Sequence, residues 1–413
     1  MKSTALASGG HSRSTARHVA ILGLVSVTIA CHDDPTNPIV VRAPAAAVAT
    51  DGEWLVNSLA DPGDGICSNS ECTLREAIVA AQDGDRITFK SNLSGRITLA
   101  AGELMVNTSI TIEGPGARVL TVDGADAYTV FRIGEPQPVL VTISGLTIVR
   151  GRNVIAGGGG IRVENDSRLA LIRSVVAGNN GSIGGGIFNH GTLFVVGSTV
   201  TGNRSDDAAA GIYSDGPLTV TRSTISGNRA LGLGGGIYSQ CDFTCPVALT
   251  LQSSTIVAND AVGGGGGVYF NANAELSNSI LAGNTVNGVS TAPDANCAEF
   301  GGIQSFGYNL LVQGTGCGGL LTTPTDVILP SPSLVFTGVL QALLADNGGG
   351  LPTHALIERG FAVDAGYCPG STTDQRLFPR PYDDPSMPNA LDACDIGAFE
   401  WQPADTKGKG PKP

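Results

Sequence analysis

Gly184-Gly185-Gly186-Ile187-Phe188, then Leu193-Phe194-Val195, then Ser198-Thr199-Val200-Thr201-Gly202-Asn203 make one unit of a repeat that decides the fold. The Gly-Gly-Ile turn returns with its aliphatic residue at Ile161, Ile187, Ile212, Ile237 and Val268, at spacings of 26, 25, 25 and 31. A second marker keeps step: a Ser, an aliphatic residue two places on, and an Asn five places on. It falls at Ser174/Val176/Asn179, Ser198/Val200/Asn203, Ser223/Ile225/Asn228, Ser254/Ile256/Asn259 and Ser279/Leu281/Asn284. Before each Ser runs an alternating pair: Leu169/Leu171, Leu193/Val195, Leu218/Val220, Leu249/Leu251 and Ala274/Leu276. Alternation of period two in short runs bounded by Gly and Asn is the signature of strands, not helices.

About 25 residues holding two or three short strands cannot bury an inner face alone, so the units must stack as rungs. The repeat over 157–284 therefore predicts an all-β, parallel β-helix, with the aliphatic positions as ladders about 4.8 Å apart. The Asn residues become a ladder as well. Asn tolerates a left-handed turn, and its amide can bond the next rung's backbone or the neighbouring Asn. The long repeat of 31 residues puts its insertion, around Cys241 to Cys245, in a loop.

Residues 1–30 hold Lys2, Arg13 and Arg17, no acid, and an apolar run from Val19 to Ala30. That run is too short to span a membrane and reads as a signal peptide. Val27-Thr28-Ile29-Ala30-Cys31 resembles a bacterial lipobox, with Thr28 where Leu is usual. The resemblance implies lipidation of Cys31 and an outer-membrane or cell-surface location; ordinary cleavage nearby is the alternative. Residues 31–50, rich in Pro and Ala, read as a flexible tether. Removing residues 1–30 leaves 21 basic against 36 acidic residues, a formal charge of −15. That acidity argues against nucleic acid or an anionic lipid surface as partner, so any membrane contact is through the N-terminal lipid.

The eight cysteines after Cys31 fall in neighbouring pairs: Cys67/Cys72, Cys241/Cys245, Cys297/Cys317 and Cys368/Cys394. In an exported chain an even count points to disulfides that staple loops and caps. Zinc is the competing use, although no His stands at ligand spacing from any pair.

An open coil exposes sheet edges at both ends and needs caps. Leu74, Ile78 and Ala81 have helical spacing behind Thr73 and Glu76, a capping-box pair, which predicts a short helix closing the N-terminal end within 51–92. Val56-Asn57-Ser58, Cys72-Thr73-Leu74-Arg75-Glu76-Ala77 and Gly84-Asp85-Arg86-Ile87-Thr88-Phe89 resemble the CSLREA domain, with Thr73 at the motif's Ser. Gly307-Tyr308-Asn309-Leu310, Asp346-Asn347-Gly348-Gly349, Thr353-His354, Val363-Asp364-Ala365-Gly366, Asp374-Gln375-Arg376, Arg380-Pro381 and Cys394-Asp395-Ile396-Gly397-Ala398-Phe399-Glu400 resemble the choice-of-anchor Q domain. The repeats are similar to those of polymorphic outer-membrane proteins and other pectin-lyase-like coils. The resemblance implies an exported bacterial envelope protein with a right-handed, single-stranded β-helix over 93–310 and an irregular C-terminal cap over 311–401; the hydrophilic stretch 402–413, where members of the group usually carry a sorting device, reads as a disordered tail. It implies no reaction.

Three sets of residues are candidates for function. The acid pair Asp206-Asp207 is the only one in the repeats, and nothing stacks acids on successive rungs as a calcium-dependent lyase needs. His190 lies upstream of that pair, the wrong order for a polygalacturonase-like hydrolase. The set His354, Asp364, Asp374, Arg376, Arg380 and Asp395 suits polar cross-links in a cap, with a structural calcium site as the other reading. Finally, if the aliphatic residue after each Gly run points inward, the next one points out, which aligns Phe188, Tyr213, Tyr238 and Tyr269. Such a row can stack on sugar rings or on itself. The expectation is a monomeric, non-catalytic surface for polysaccharide or a cell-surface protein, with no cofactor; a polysaccharide lyase or glycoside hydrolase is the alternative.

Overall fold

The structure, a computed structural model, describes residues 52–240, 247–299, 302–316 and 323–403. The chain is a parallel β-helix. One rung runs Ile161–Val163, Arg168–Ile172, Val175–Ala177 and Asn180–Gly181 before the next begins at Ile187–Asn189. Each of these strands belongs to a different sheet. Sheet 1, ten-stranded, extends from Glu53–Val56 to Ile303–Ser305; sheet 2, ten-stranded, from Gly95–Thr98 to Val327–Leu329. Sheet 3, eight-stranded, extends from Leu104–Val106 to Cys297–Glu299; sheet 4 has six two-residue strands from Arg152–Asn153 to Thr285–Val286.

The strand register is the one the repeat demands. Ile161, Ile187, Ile212, Ile237 and Val268 face one another in sheet 3. Leu169, Leu193, Leu218, Leu249 and Ala274 do so in sheet 1, and Val176, Val200, Ile225, Ile256 and Leu281 in sheet 2. All of them are buried in one continuous core, because a slip of one residue in any strand would turn its whole set to solvent.

The Asn marker is a hydrogen-bonded ladder. Nδ2 of Asn179, Asn203, Asn228 and Asn259 donates at 2.9 Å to Oδ1 of the Asn one rung on. The same Oδ1 atoms accept the backbone N–H of the preceding Asn at 3.0–3.1 Å. The second Nδ2 proton goes back a rung, from Asn203 to Val176 O and from Asn228 to Val200 O, both at 3.0 Å. Donors and acceptors of each buried amide are thus used. The Ser residues form a parallel ladder: the backbone N–H of Ser174, Ser198, Ser223 and Ser254 donates to Oγ of the next Ser at 3.0–3.3 Å.

One part of the sequence reading is corrected here. The left-handed conformation expected at the Asn belongs to the residue before it, Gly178, Gly202, Gly227, Ala258 and Gly283. Asn is required for its amide, not for its backbone. The Gly runs work as expected: Gly184 has φ +61°, and a Cβ on Gly186 would stand 2.6 Å from Gly211 O.

At the N-terminal end the helix Leu74–Ala80 has Thr73 as N-cap, with the full capping box to Glu76. Leu74, Ala77, Ile78 and Ala81 enter the core. The coil nevertheless begins earlier than expected, since Glu53–Val56 already pairs in parallel with Arg86–Phe89 inside the segment read as a cap.

The C-terminal segment also departs from the expected end cap. It runs back along the outer face of sheet 2. Thr224 Oγ1 donates to Gln375 Oε1 at 2.6 Å, Ser226 Oγ pairs with His354 Nε2 at 2.8 Å, and Gln375 Nε2 donates to Thr199 Oγ1 at 2.9 Å. Farther back, Leu351 packs on Val175 and Ala117. Over its middle strands sheet 2 is therefore buried on both sides. Ile256, Leu281 and Leu311 face the coil's core, while Val257, Ile280, Leu310 and Val312 face a second core with Val335, Val339, Leu356, Ile396 and Phe399. Doubly buried strands lose their alternation, which is why Ile280-Leu281-Ala282 and Leu310-Leu311-Val312 are apolar throughout.

Asn228→Ala removes two donors and an acceptor from the middle of the ladder and leaves Asn203 N and one Asn203 Nδ2 proton without their acceptor. The expected loss is about 3 kcal/mol, read as a fall in the denaturation midpoint. Asn228→Asp should lose at least as much, because a carboxylate there faces two acceptors and donates nothing.

Candidate functional site

The outer face of sheet 3 carries the expected aromatic row. Register places Arg132, Arg162, Phe188, Tyr213, Tyr238 and Tyr269 in one column. The rings stack: centroids lie 4.9, 5.2 and 4.9 Å apart with interplanar angles of 5°, 12° and 12°. Arg162, which interrupts the row in sequence, closes it in space, its guanidinium 4.8 Å from the Phe188 centroid. Ring faces within the row are thereby occupied, as rung spacing favours. Tyr213 and Tyr238 keep their edges and hydroxyls partly exposed, whereas Phe188 and Tyr269 are buried.

A polar column stands beside it. Gln240 bridges two rings, donating from Nε2 to Tyr213 Oη at 2.5 Å and accepting from the Tyr238 hydroxyl at 3.2 Å. His190 Nδ1 meets Asp215 Oδ2 at 2.5 Å and its ring stands edge-on to Phe188. Glu164 accepts from Arg132 Nε at 2.7 Å and Arg162 Nε at 2.6 Å. Burial pushes the Glu164 carboxyl up, but these two arginines outweigh it and hold it below the usual range. Burial raises the hydroxyl pKa of both Tyr238 and Tyr269. Sequence reasoning missed Glu164, Asp215 and Gln240, although each lies two residues beyond a member of the column and so on the same outer side.

Two further acids of the coil are also paired. Asp123 binds Arg150 at 3.2 Å and also Arg96, and Asp260 binds Arg229 at 3.4 Å. Asp206 and Asp207 are exposed in the turn after Arg204–Ser205. Among the described residues, carboxylates close enough to share one ion are Asp64, Glu71 and Glu76, in the N-terminal loop and not on the coil. On successive rungs Glu103 and Glu164 converge on Arg132, which Glu135 also pairs, so these acids surround a guanidinium.

The C-terminal charged set is brought together, behind sheet 2. Asp374 accepts from Arg376 Nε at 2.8 Å and from the backbone N–H of Arg376, Phe378 and Glu400. Arg380 pairs with Glu400 at 2.8 Å and donates to Gly397 O at 2.9 Å. Asp395 accepts from Asp364 N at 2.7 Å and Trp401 N at 2.5 Å. These carboxylates hold backbone amides, the polar cross-linking expected. Glu400, quoted in the end motif but not among the charged candidates, is a member; an acid between Phe399 and Trp401 was the available signal. Burial pushes Asp364 up to about 6 and Glu400 up to about 7, and raises Asp395 well above the usual range. Asp364 Oδ1 and Arg380 Nη1 are buried without a partner.

Cys67–Cys72 and Cys368–Cys394 are disulfides, with Cα atoms 4.1 and 6.0 Å apart. Cys297 is disulfide-bonded too. Cys317, Cys241, Cys245, the lipidation candidate Cys31, the segments 1–30 and 31–50 and most of 402–413 lie outside the described residues.

No protein-family model matches the chain, and no curated protein does. Among solved structures it is similar to pectate lyase Pel9A, at 13% identity and a TM-score of 0.42 over 86% of this chain and 98% of that one. It is also similar to the PL6 family alginate lyase AlyGC, at 10% identity and a TM-score of 0.21 over 85% and 59%. The fold is read from the strand pairing itself, and likeness at this level adds nothing about activity.

Glu400 sets the sign of one pH effect. Its folded pKa of about 7 lies above its unfolded value of about 4.3, so its contribution is full below about pH 4 and lost as pH rises through 7. Asp364 acts in the same sense up to about 6. His354, held neutral by burial, acts in the opposite sense as pH falls below about 6.5. Comparison with Glu400→Gln isolates the first effect: between pH 5 and pH 8 the wild type should lose roughly 2 kcal/mol more than the variant, measured by denaturant titration at both pH values.

Proposed function

We propose that this chain is an exported, lipid-anchored envelope protein whose coil offers the outer face of sheet 3 as a rigid, non-catalytic docking surface for polysaccharide or a cell-surface protein. What supports this reading most is the in-register row Phe188, Tyr213, Tyr238 and Tyr269, continued by Arg162 and Arg132. A side chain repeated at rung spacing meets a linear or repeating partner at several points without any rearrangement of its own. The polar column of Glu164, His190, Asp215 and Gln240 adds hydrogen-bonding groups along the same line. The paired state of the nearby acids favours contact over acid–base chemistry.

The CSLREA-like and choice-of-anchor Q-like motifs of the two ends, and the lipobox-like ending at Cys31, are the basis for the envelope location. Cys31→Ala should move the protein from the membrane fraction to the soluble fraction; a variant that stays with the membrane contradicts lipid anchoring.

The docking reading is tested with a panel of neutral and acidic polysaccharides, following retention together with release of reducing or unsaturated ends. Retention without products is expected, weakened about tenfold by Tyr213→Ser with Tyr238→Ser, as loss of two contacts implies. Product release would instead make the chain a polysaccharide lyase or glycoside hydrolase. Unchanged retention in the double variant would remove the row from the site.

A further inference from the structure

A cleft of about 350 Å³ lies where the C-terminal segment meets the corner between sheets 1 and 2. Three successive rungs line it, through the turn Gly114–Val119, through Ser144 and Gly145, and through Arg173; Gly349, Gly350 and Leu351 close the other side. The volume falls in the range of small-molecule sites. Its charged lining consists of two arginines, Arg118 and Arg173, and no carboxylate, in a chain with 36 acids against 24 bases. Asp346 holds Arg118 at 2.5 Å from outside that lining. Among the described residues, the backbone amides of Ala117, Arg118, Gly349 and Gly350 donate to no protein acceptor.

Arg173 supplies the independent observation. Its corner is left-handed on every rung: Gly145 (φ 62°), Arg173 (47°), Gly197 (56°), Arg222 (48°), Ser253 (47°) and Asn278 (47°). Glycine adopts that conformation without strain, and a branched-off side chain there is disfavoured. The other non-glycine residues use their side chains. Arg222 donates to Thr373 Oγ1 at 3.3 Å, and Asn278 donates to Asp395 O at 3.0 Å and to Ser253 Oγ at 3.3 Å. Arg173 is exposed and has no side-chain partner among the described residues. It occupies a strained corner and lines the cleft, and its guanidinium has no partner among the described residues.

We propose that this cleft is a binding site for a small molecule bearing a carboxylate or phosphate, of monosaccharide size, held between the guanidinium groups of Arg118 and Arg173 with the amides of the Gly349–Gly350 turn as further donors. Planar guanidinium forks match the paired oxygens of both groups. The site is separate from the aromatic row and does not depend on the row's role.

The test is a thermal-shift and calorimetric titration of the protein with sodium glucuronate, inorganic phosphate and glucose at constant ionic strength. A saturable rise in Tm with at least one anion, and none with glucose, is expected; glucuronate alone identifies an acidic sugar, phosphate alone a phosphate ligand, and both a compact oxyanion of either kind. Arg173→Gly should raise Tm without ligand, because it relieves the left-handed corner, yet weaken anion binding about tenfold or more. Arg118→Gln should weaken binding as well. Absence of a shift with either anion, or equal affinity in Arg173→Gly and the wild type, overturns the proposal.

Discussion

A buried carboxamide must find two acceptors and two donors, and in this coil it finds them only if the next rung brings an identical group to the same place. That constraint ties the rungs together. Each Asn of the ladder gives one proton forward and one back and accepts from the rung before it, so an Asn one position out of step would leave several buried groups unpaired at about 1–3 kcal/mol each. Apolar ladders of Ile, Val and Leu drive the stacking, yet they accept exchange of one aliphatic residue for another of similar volume. The amides do not. The ladder also spans the long repeat: Asn228 and Asn259, 31 residues apart, bond as Asn203 and Asn228 do across 25.

With the rungs in register, outward positions become columns, and the two long faces diverge in fate. On sheet 3 the column is a stack of rings closed by Arg162, with Tyr213 and Tyr238 partly exposed. On sheet 2 the column is small and apolar or hydroxylic, and the C-terminal segment lies over it. That segment has little regular structure, so its polar backbone needs partners from side chains. The buried carboxylates of Asp374, Asp395 and Glu400 provide them, and desolvation is what raises Asp395 and Glu400 above the usual carboxylate range.

Periodic and local features were legible from the residues alone. The positions Ile161 to Val268, the Asn marker and the Thr73–Glu76 capping box are all readable within one rung or one turn. What escaped reading depends on distant contacts or on a broken period. Gln375 meets Thr224 across 151 residues, so no local pattern announces that the C-terminal segment turns back along sheet 2. Asn296 extends the ladder from a loop only 12 residues after Asn284, outside the repeat. The outward direction of Tyr213 and Tyr238 followed from alternation, whereas the stacking of their faces required the rung spacing and side-chain torsions together. At the Asn corner the residue type was read correctly for one of its two reasons: hydrogen bonding decides the choice, and Gly202 or Gly227 takes the left-handed turn.

Hydrogen exchange of the side-chain amides is the most direct measurement of whether the ladder holds the coil. With selective labelling of Asn, the Nδ2 protons of Asn203, Asn228 and Asn259 should exchange only on the timescale of global unfolding, in parallel with the amides of the core strands. Exchange of those protons within minutes at neutral pH, while the core strands stay protected, would contradict the ladder as the interaction on which the stack depends.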